Sequence, residues 1–218
     1  MILCCIFDLD GTLLNTVQAL TYTSNLVLER LGYPPVDEAH IMKFVGDGYQ
    51  CQVERLLRYS GDGELIHYEE ALKLYMELFA KHCMYQVRPY DGIPELLEQM
   101  KERGIRIAVL SNKPHARTVE TIEAVFGKGY FDYVAGEQPG IPKKPDPAGV
   151  VRILEEFGVM PEECLYFGDT NTDMRTGLGA GLTTVGVTWG FRDRAELEEF
   201  HPQYVIDHPE EVMGMILQ

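Results

Sequence analysis

The chain opens on a continuous apolar run, Ile2 to Phe7, that stops abruptly at Asp8-Leu9-Asp10-Gly11. An unbroken apolar run of that length, closed by a polar turn, is the pattern of a strand buried on both faces, as in the middle of a parallel sheet. Ile105 to Leu110, before Ser111, and Cys164 to Phe167, before Gly168-Asp169, repeat the pattern. Each follows a helix-spaced stretch that ends in glycine, Glu95 to Arg103 at Gly104 and Val150 to Phe157 at Gly158. Glycine just past the last periodic residue is a helix stop signal. Further strand candidates are Tyr133 to Ala135, Thr183 to Val187 and Tyr204 to Ile206, with helical stretches between them. This alternation predicts an α/β fold with a doubly wound parallel sheet, Rossmann-like in its layering.

Residues 15–83 break the rhythm. They contain no convincing strand, and their apolar positions recur at helical spacing: Leu20, Val27 and Leu31, then Val53, Leu56 and Leu57, then Tyr68, Ala71, Leu72, Tyr75 and Phe79. Stripes of this kind are core by default. They predict an all-helical cap over residues 15–83, inserted into an α/β core made of residues 1–14 and 84–218. The turn-rich Arg88-Pro89-Tyr90-Asp91-Gly92 marks the return to strand-helix alternation.

Composition narrows the function more than the fold. With 218 residues, 45% hydrophobic and 24% charged, the chain can bury one core and carry a smaller insertion. Its net charge of -15 opposes binding to nucleic acid and to anionic membrane surfaces. An anionic ligand therefore needs local help from a metal ion, a lysine or a helix N-terminus. The five cysteines are odd in number and lack zinc-ligand spacing, which fits a reducing compartment; Cys4 and Cys5 read as small core side chains. Met1 leads quickly into acidic residues rather than a basic start with a long apolar stretch, and no run is long enough to span a bilayer, so a cytoplasmic protein is expected.

Four polar clusters fall at or just after predicted strand ends: Asp8 with Asp10, Ser111 with Asn112, Lys143 with Lys144, and Asp169 with Asp173. Ligands of an open parallel sheet bind outside the carboxyl ends of its strands, so these clusters are expected to converge. Asp8 and Asp10 share one side of an extended segment, and a divalent cation would offset their repulsion, magnesium being suited to oxygen ligands and phosphate. Asp169 and Asp173 are one helical turn apart if a helix opens there, and helix capping and metal binding weigh equally for that pair. Lys144, in Lys143-Lys144-Pro145-Asp146-Pro147, is by itself an ordinary surface lysine; beside a carboxylate cluster it is the fixed cation that a phosphoryl oxygen requires.

Taken together, Asp8-Leu9-Asp10-Gly11-Thr12, Ser111-Asn112-Lys113, Lys144-Pro145-Asp146-Pro147 and Gly168-Asp169-Thr170-Asn171-Thr172-Asp173 resemble the four motifs of haloacid dehalogenase superfamily phosphatases, in order and over essentially the whole chain. The resemblance implies a nucleophile at Asp8, a general acid and base at Asp10, a phosphate binder at Ser111 with Asn112 beside it, and a charge-balancing lysine at Lys144. It also implies a magnesium site of Asp8, Asp10 through its backbone carbonyl, Asp169 and Asp173, the last acting through water or by holding Lys144.

The helical insertion resembles the cap that selects substrate in that superfamily. Within it Gly46-Asp47-Gly48 is the candidate substrate-facing loop, a plain interhelical turn being the competing reading. Lys43 and Arg55 are the cap cations that could meet a second anionic group. The cap pattern with Thr188-Trp189-Gly190-Phe191 looks most like the phosphoglycolate phosphatase subgroup, which implies a small phosphorylated metabolite as substrate and a monomer or homodimer. Asn15 departs from the aspartate many relatives carry there, at the hinge into the cap. The competing functions are a phosphosugar mutase or pyrophosphatase of the same superfamily, Thr12 leaning towards hydrolysis, and a phosphoacceptor receiver-like signalling domain.

Overall fold

In the computed structural model, which describes residues 1–216, the chain divides into two compact units, residues 1–15 with 89 onward and residues 16–88. Residues 217 and 218, the end of the expected core range, lie outside the described residues. The first unit is α/β. It begins with β1 (Cys4–Phe7), and the two-residue strands β2 (Leu14–Asn15) and β3 (Arg88–Pro89) mark where the chain leaves and returns.

Between those crossings the helical unit contains α1 (Val17–Leu31), α2 (Glu38–Phe44), α3 (Tyr49–Ser60) and α4 (Tyr68–His82). The periodic positions Leu20, Val27, Val53, Leu56, Leu57, Ala71, Tyr75 and Phe79 are buried, while Leu31, Tyr68 and Leu72 are half-buried. Tyr75 stacks between Tyr49 and Phe79, and its hydroxyl donates to Gln52 Oε1 at 3.1 Å while Gln52 Nε2 donates to Ser24 Oγ at 3.2 Å. That chain satisfies a buried amide between three helices, which an apolar core requires. The unit ends at Arg88 rather than at residue 83 as expected. Cys83 is buried and the following turn bonds back to the helix, Tyr85 N–H to His82 O at 2.9 Å, so these residues stay with α4.

After the return come α5 (Ile93–Glu102), β4 (Arg106–Pro114), α6 (His115–Phe126), β5 (Tyr133–Glu137), α7 (Ala148–Phe157), β6 (Cys164–Gly168), α8 (Asn171–Gly179), β7 (Thr183–Val187), α9 (Arg194–Glu198), β8 (Tyr204–Ile206) and α10 (Glu211–Ile216). β1 and β4 to β8 form one parallel sheet in the order β5-β4-β1-β6-β7-β8, and β2 pairs with β3 separately. The chain therefore starts in the middle, winds out to β5, then crosses back to build the other half from β6. That reversal opens a crevice between β1 and β6 at the carboxyl ends, where doubly wound sheets bind ligands.

The three central strands are buried on both faces, which explains their unbroken apolar runs. Cys4, Ile6, Ala108, Leu110, Cys164 and Tyr166 pack against Val150, Ile153 and Leu154 of α7 on one face. On the other, Phe7 stacks on Phe167 with ring centroids 4.7 Å apart. Burying an aliphatic side chain such as Ile6 completely contributes about 1.5–3 kcal/mol, so this layer holds the strand ends in place. β4 runs past the expected Leu110 to Pro114, because its pairing with β5 resumes at Pro114 opposite Glu137 after a register shift. Ser111 and Asn112 thus lie inside a strand, not after one.

Candidate active site

Register sets the site. Phe7 lies opposite Val109 on one side and Phe167 on the other, so Asp8 emerges between Leu110 and Gly168, one residue before Ser111 and Asp169. The Asp8 amide still donates to Phe167 O at 2.9 Å, which keeps the backbone in the sheet up to the carboxylate. Residues separated by more than a hundred positions in sequence are thereby placed at one edge.

Lys144 Nζ donates to Asp8 Oδ1 at 2.6 Å and to Asp173 Oδ1 at 2.7 Å, with all three side chains less than a tenth exposed. Burial alone would push the ammonium down, yet Asp173 and Asp8 hold it well above the usual lysine range, so it is a fixed cation. Asn112 secures it: Lys144 N–H donates to Asn112 Oδ1 and Asn112 Nδ2 donates to Lys144 O, both at 2.9 Å. Both ends of the Asn112 amide thus hold the Lys144 backbone, so Asn112 positions the lysine. Ser111 Oγ accepts the Lys113 amide at 3.2 Å, which leaves its own proton available as a donor.

Asp169 and Asp173 do not share a helix face. The helix α8 begins after Asp169, with Thr170 as its N-cap, and Asp173 closes a capping box. Its Oδ2 accepts from Thr170 N at 3.1 Å and Thr170 Oγ1 at 2.5 Å, and its Oδ1 accepts from Tyr166 OH at 3.1 Å as well as from Lys144. Four donors reach this one carboxylate, so Asp173 serves the cap and holds Lys144, which is one of the two parts the resemblance implied for it.

Asp169 is held in the loop by Thr12 Oγ1 on Oδ1 and the Phe191 amide on Oδ2, both at 2.8 Å. Gly11, at φ +94, passes so close that a Cβ there would lie 2.2 Å from Asp169 Oδ2. Burial, with Asp173 adding to it, pushes the Asp169 carboxyl up to about 7 against the Phe191 and Thr12 hydrogen bonds. Burial likewise raises Asp8 well above the carboxylate range, Asp173 adding to it and Lys144 opposing.

One oxygen each of Asp8, Asp169 and Asp173 lie within 4.8 Å of one another. Three buried carboxylates against one ammonium leave a net negative, oxygen-only pocket, which suits a hard dication. Asp10 stands beside this pocket with Lys113 Nζ donating to its Oδ1 at 2.9 Å. Lys113, Thr12, Thr170 and Phe191 stand inside the motifs named above, but nothing in the sequence assigned them a contact at this site, and Tyr166 read only as part of a strand.

Gly46, Asp47 and Gly48 belong to the helical unit, in the turn between α2 and α3. Asp47 is paired with Arg55 Nη2, and Arg55 Nη1 donates to Phe44 O at 2.8 Å. Arg55 therefore ties this turn to α3, a correction to its expected part as a cation waiting for an anionic group.

A profile of haloacid dehalogenase-like hydrolases matches residues 5–187. The chain belongs to that family. The phosphoglycolate phosphatase of Aquifex aeolicus is 29% identical over 97% of this chain and 95% of its own length, and phosphoglycolate phosphatase 1 of Pseudomonas aeruginosa is 31% identical over 93% and 75%. A crystal structure from Lactobacillus delbrueckii subsp. bulgaricus, 29% identical, superposes with a TM-score of 0.91 and covers 98% of each chain. The fold described above is thus shared with that structure over nearly the whole of both chains. Among the described residues no helix is long and apolar enough to cross a membrane, and all five cysteines are free thiols.

Proposed function

We propose that this chain hydrolyses 2-phosphoglycolate through a phosphoaspartyl intermediate on Asp8, with magnesium as cofactor. The protein is a phosphoric monoester hydrolase of the haloacid dehalogenase family, and relatives matching nearly its full length are phosphoglycolate phosphatases. The observation that carries the mechanism is the buried Asp8-Lys144-Asp173 chain at the end of the first strand. It is an all-protein arrangement for keeping one carboxylate oxygen aimed and partly neutralised.

Asp8 attacks phosphorus, forming a new O–P bond as the ester O–P bond breaks. Asp10 delivers its proton to the departing alkoxide, then takes a proton from the water that cleaves the acyl phosphate. Lys144 and the Ser111 hydroxyl hold the phosphoryl oxygens while negative charge is redistributed among them. Magnesium, held by Asp8, Asp169 and the Asp10 carbonyl, would supply the positive charge that lets a carboxylate approach a phosphate. Asp173 supports that site through Lys144, and the Gly46-Asp47-Gly48 turn takes part in substrate choice. A reducing cytosol suits five free thiols.

The test is magnesium-dependent phosphate release from 2-phosphoglycolate, pyrophosphate and several sugar phosphates without a bisphosphate activator. The highest kcat/KM is expected for 2-phosphoglycolate, with Asp8→Asn folded and inactive. Undiminished turnover by Asp8→Asn would overturn the mechanism, preference for another ester would overturn the substrate, and dependence on a bisphosphate would favour the mutase.

A further inference from the structure

The site contains two buried lysines, and the chemistry of Asp8 uses only Lys144. Lys113 is the second. Its side chain is 2% exposed, and its ammonium lies 2.9 Å from Asp10 Oδ1, a contact spanning 103 residues of sequence. Burying an ammonium group is costly unless it is paired, and a buried ion pair adds little stability over apolar side chains of the same size. The backbone that carries it is fixed on several sides. Its amide donates to Ser111 Oγ at 3.2 Å, its carbonyl accepts from Thr118 Oγ1 at 3.1 Å, and Gly136 passes so close that a Cβ there would lie 2.5 Å from that carbonyl. The buried Lys113 side chain thus reaches Asp10 from a backbone held in place on several sides.

We propose that Lys113 is a positioning residue that decides which oxygen of Asp10 handles the catalytic proton. This rests on the reading of Asp10 as general acid and base. Lys113 occupies Oδ1, so Oδ2 is the oxygen left to take up and release the catalytic proton. In the first step the ester O–P bond breaks, its electron pair takes the proton from Oδ2, and the carboxylate left behind keeps the Lys113 ammonium on its other oxygen. In the second, Oδ2 removes a proton from water as the water oxygen bonds to phosphorus and the Asp8–phosphorus bond breaks. Lys113 holds the same contact throughout and touches neither the substrate nor the phosphoryl group.

The experiment compares esters whose leaving groups do and do not need a proton. Wild type, Lys113→Met, Lys113→Gln and Lys113→Arg are assayed in the full-length protein with magnesium, using 2-phosphoglycolate and p-nitrophenyl phosphate under single-turnover conditions. Far-UV circular dichroism checks each fold, and Lys113→Gln keeps an N–H donor in the buried position in case Lys113→Met does not fold. The expected result is a fall of about 10²-fold in the first-step rate for 2-phosphoglycolate, a fall below about threefold for nitrophenol release, an unchanged KM, and partial recovery in Lys113→Arg. Equal losses on both esters would overturn the proposal in favour of a structural role. A raised KM for 2-phosphoglycolate alone would overturn it in favour of substrate binding. If wild type showed no Asp8-dependent hydrolysis of either ester, the phosphatase reading would fall and the proposal with it.

Discussion

Replacing Asp169 by asparagine separates the cost of the carboxylate cluster from the rest of the fold. Asp169 is fully buried, and burial first, then Asp173, pushes its carboxyl up to about 7. In the unfolded chain it titrates near the ordinary aspartate value of about 3.9. Between those two values the folded, metal-free protein binds more protons than the unfolded one, so its stability falls as pH rises and levels off above about 7. A shift of roughly three units at about 1.4 kcal/mol each makes the loss about 4 kcal/mol. An asparagine side chain does not titrate, so subtracting the unfolding free energies of wild type and Asp169→Asn cancels the groups remote from it and leaves Asp169 together with its coupling to Asp173 and Asp8. Urea unfolding with chelator at several pH values from 4.5 to 8 gives that difference. Wild type should lose ground to Asp169→Asn steadily up to neutral pH, and added magnesium should restore wild type most at the alkaline end. A difference that stays flat or runs the other way, or a magnesium effect larger at pH 5 than at pH 8, would refute the reasoning.

Lys144→Met leaves Asp8 and Asp173 buried without their shared cation; metal-free stability should drop by about 3–5 kcal/mol and kcat by about 10²-fold or more, read by denaturation and initial rates. Gly11→Ala forces a Cβ into the left-handed region and against Asp169 Oδ2, so about 1–2 kcal/mol of strain should accompany a larger loss of magnesium affinity, measured by calorimetry. Asn112→Ala removes both hydrogen bonds that clamp the Lys144 backbone; a stability loss of about 1–3 kcal/mol with kcat falling and KM little changed is expected, and a KM effect alone would return Asn112 to the ligand.

The strand core was readable because burial on both faces writes itself locally: Ile2 to Phe7 is apolar at every position, and the buried strand Cys4–Phe7 lies within it. Helical spacing identified the apolar stripes between Leu20 and Phe79 for the same reason, since i, i+3 and i+4 positions meet within one helix. The ends of elements were less legible. Nothing within a few residues of Leu110 says that β4 will resume pairing at Pro114, because that pairing depends on where β5 lies.

From the sequence alone came the parallel sheet, the helical stretch between its first two strands in chain order and the candidate site residues at or near strand ends, all of which follow from short-range periodicity and a recognisable order of motifs. Tertiary structure decided the partnerships. Lys144 reaches Asp8 across 136 residues, Lys113 takes Asp10, Asn112 clamps the Lys144 backbone, and Asp173 fills its oxygens with Thr170, Tyr166 and Lys144. Side-chain hydrogen bonds act over about 3 Å, so which groups share a charge depends on strand order and register, quantities that no single segment of chain contains.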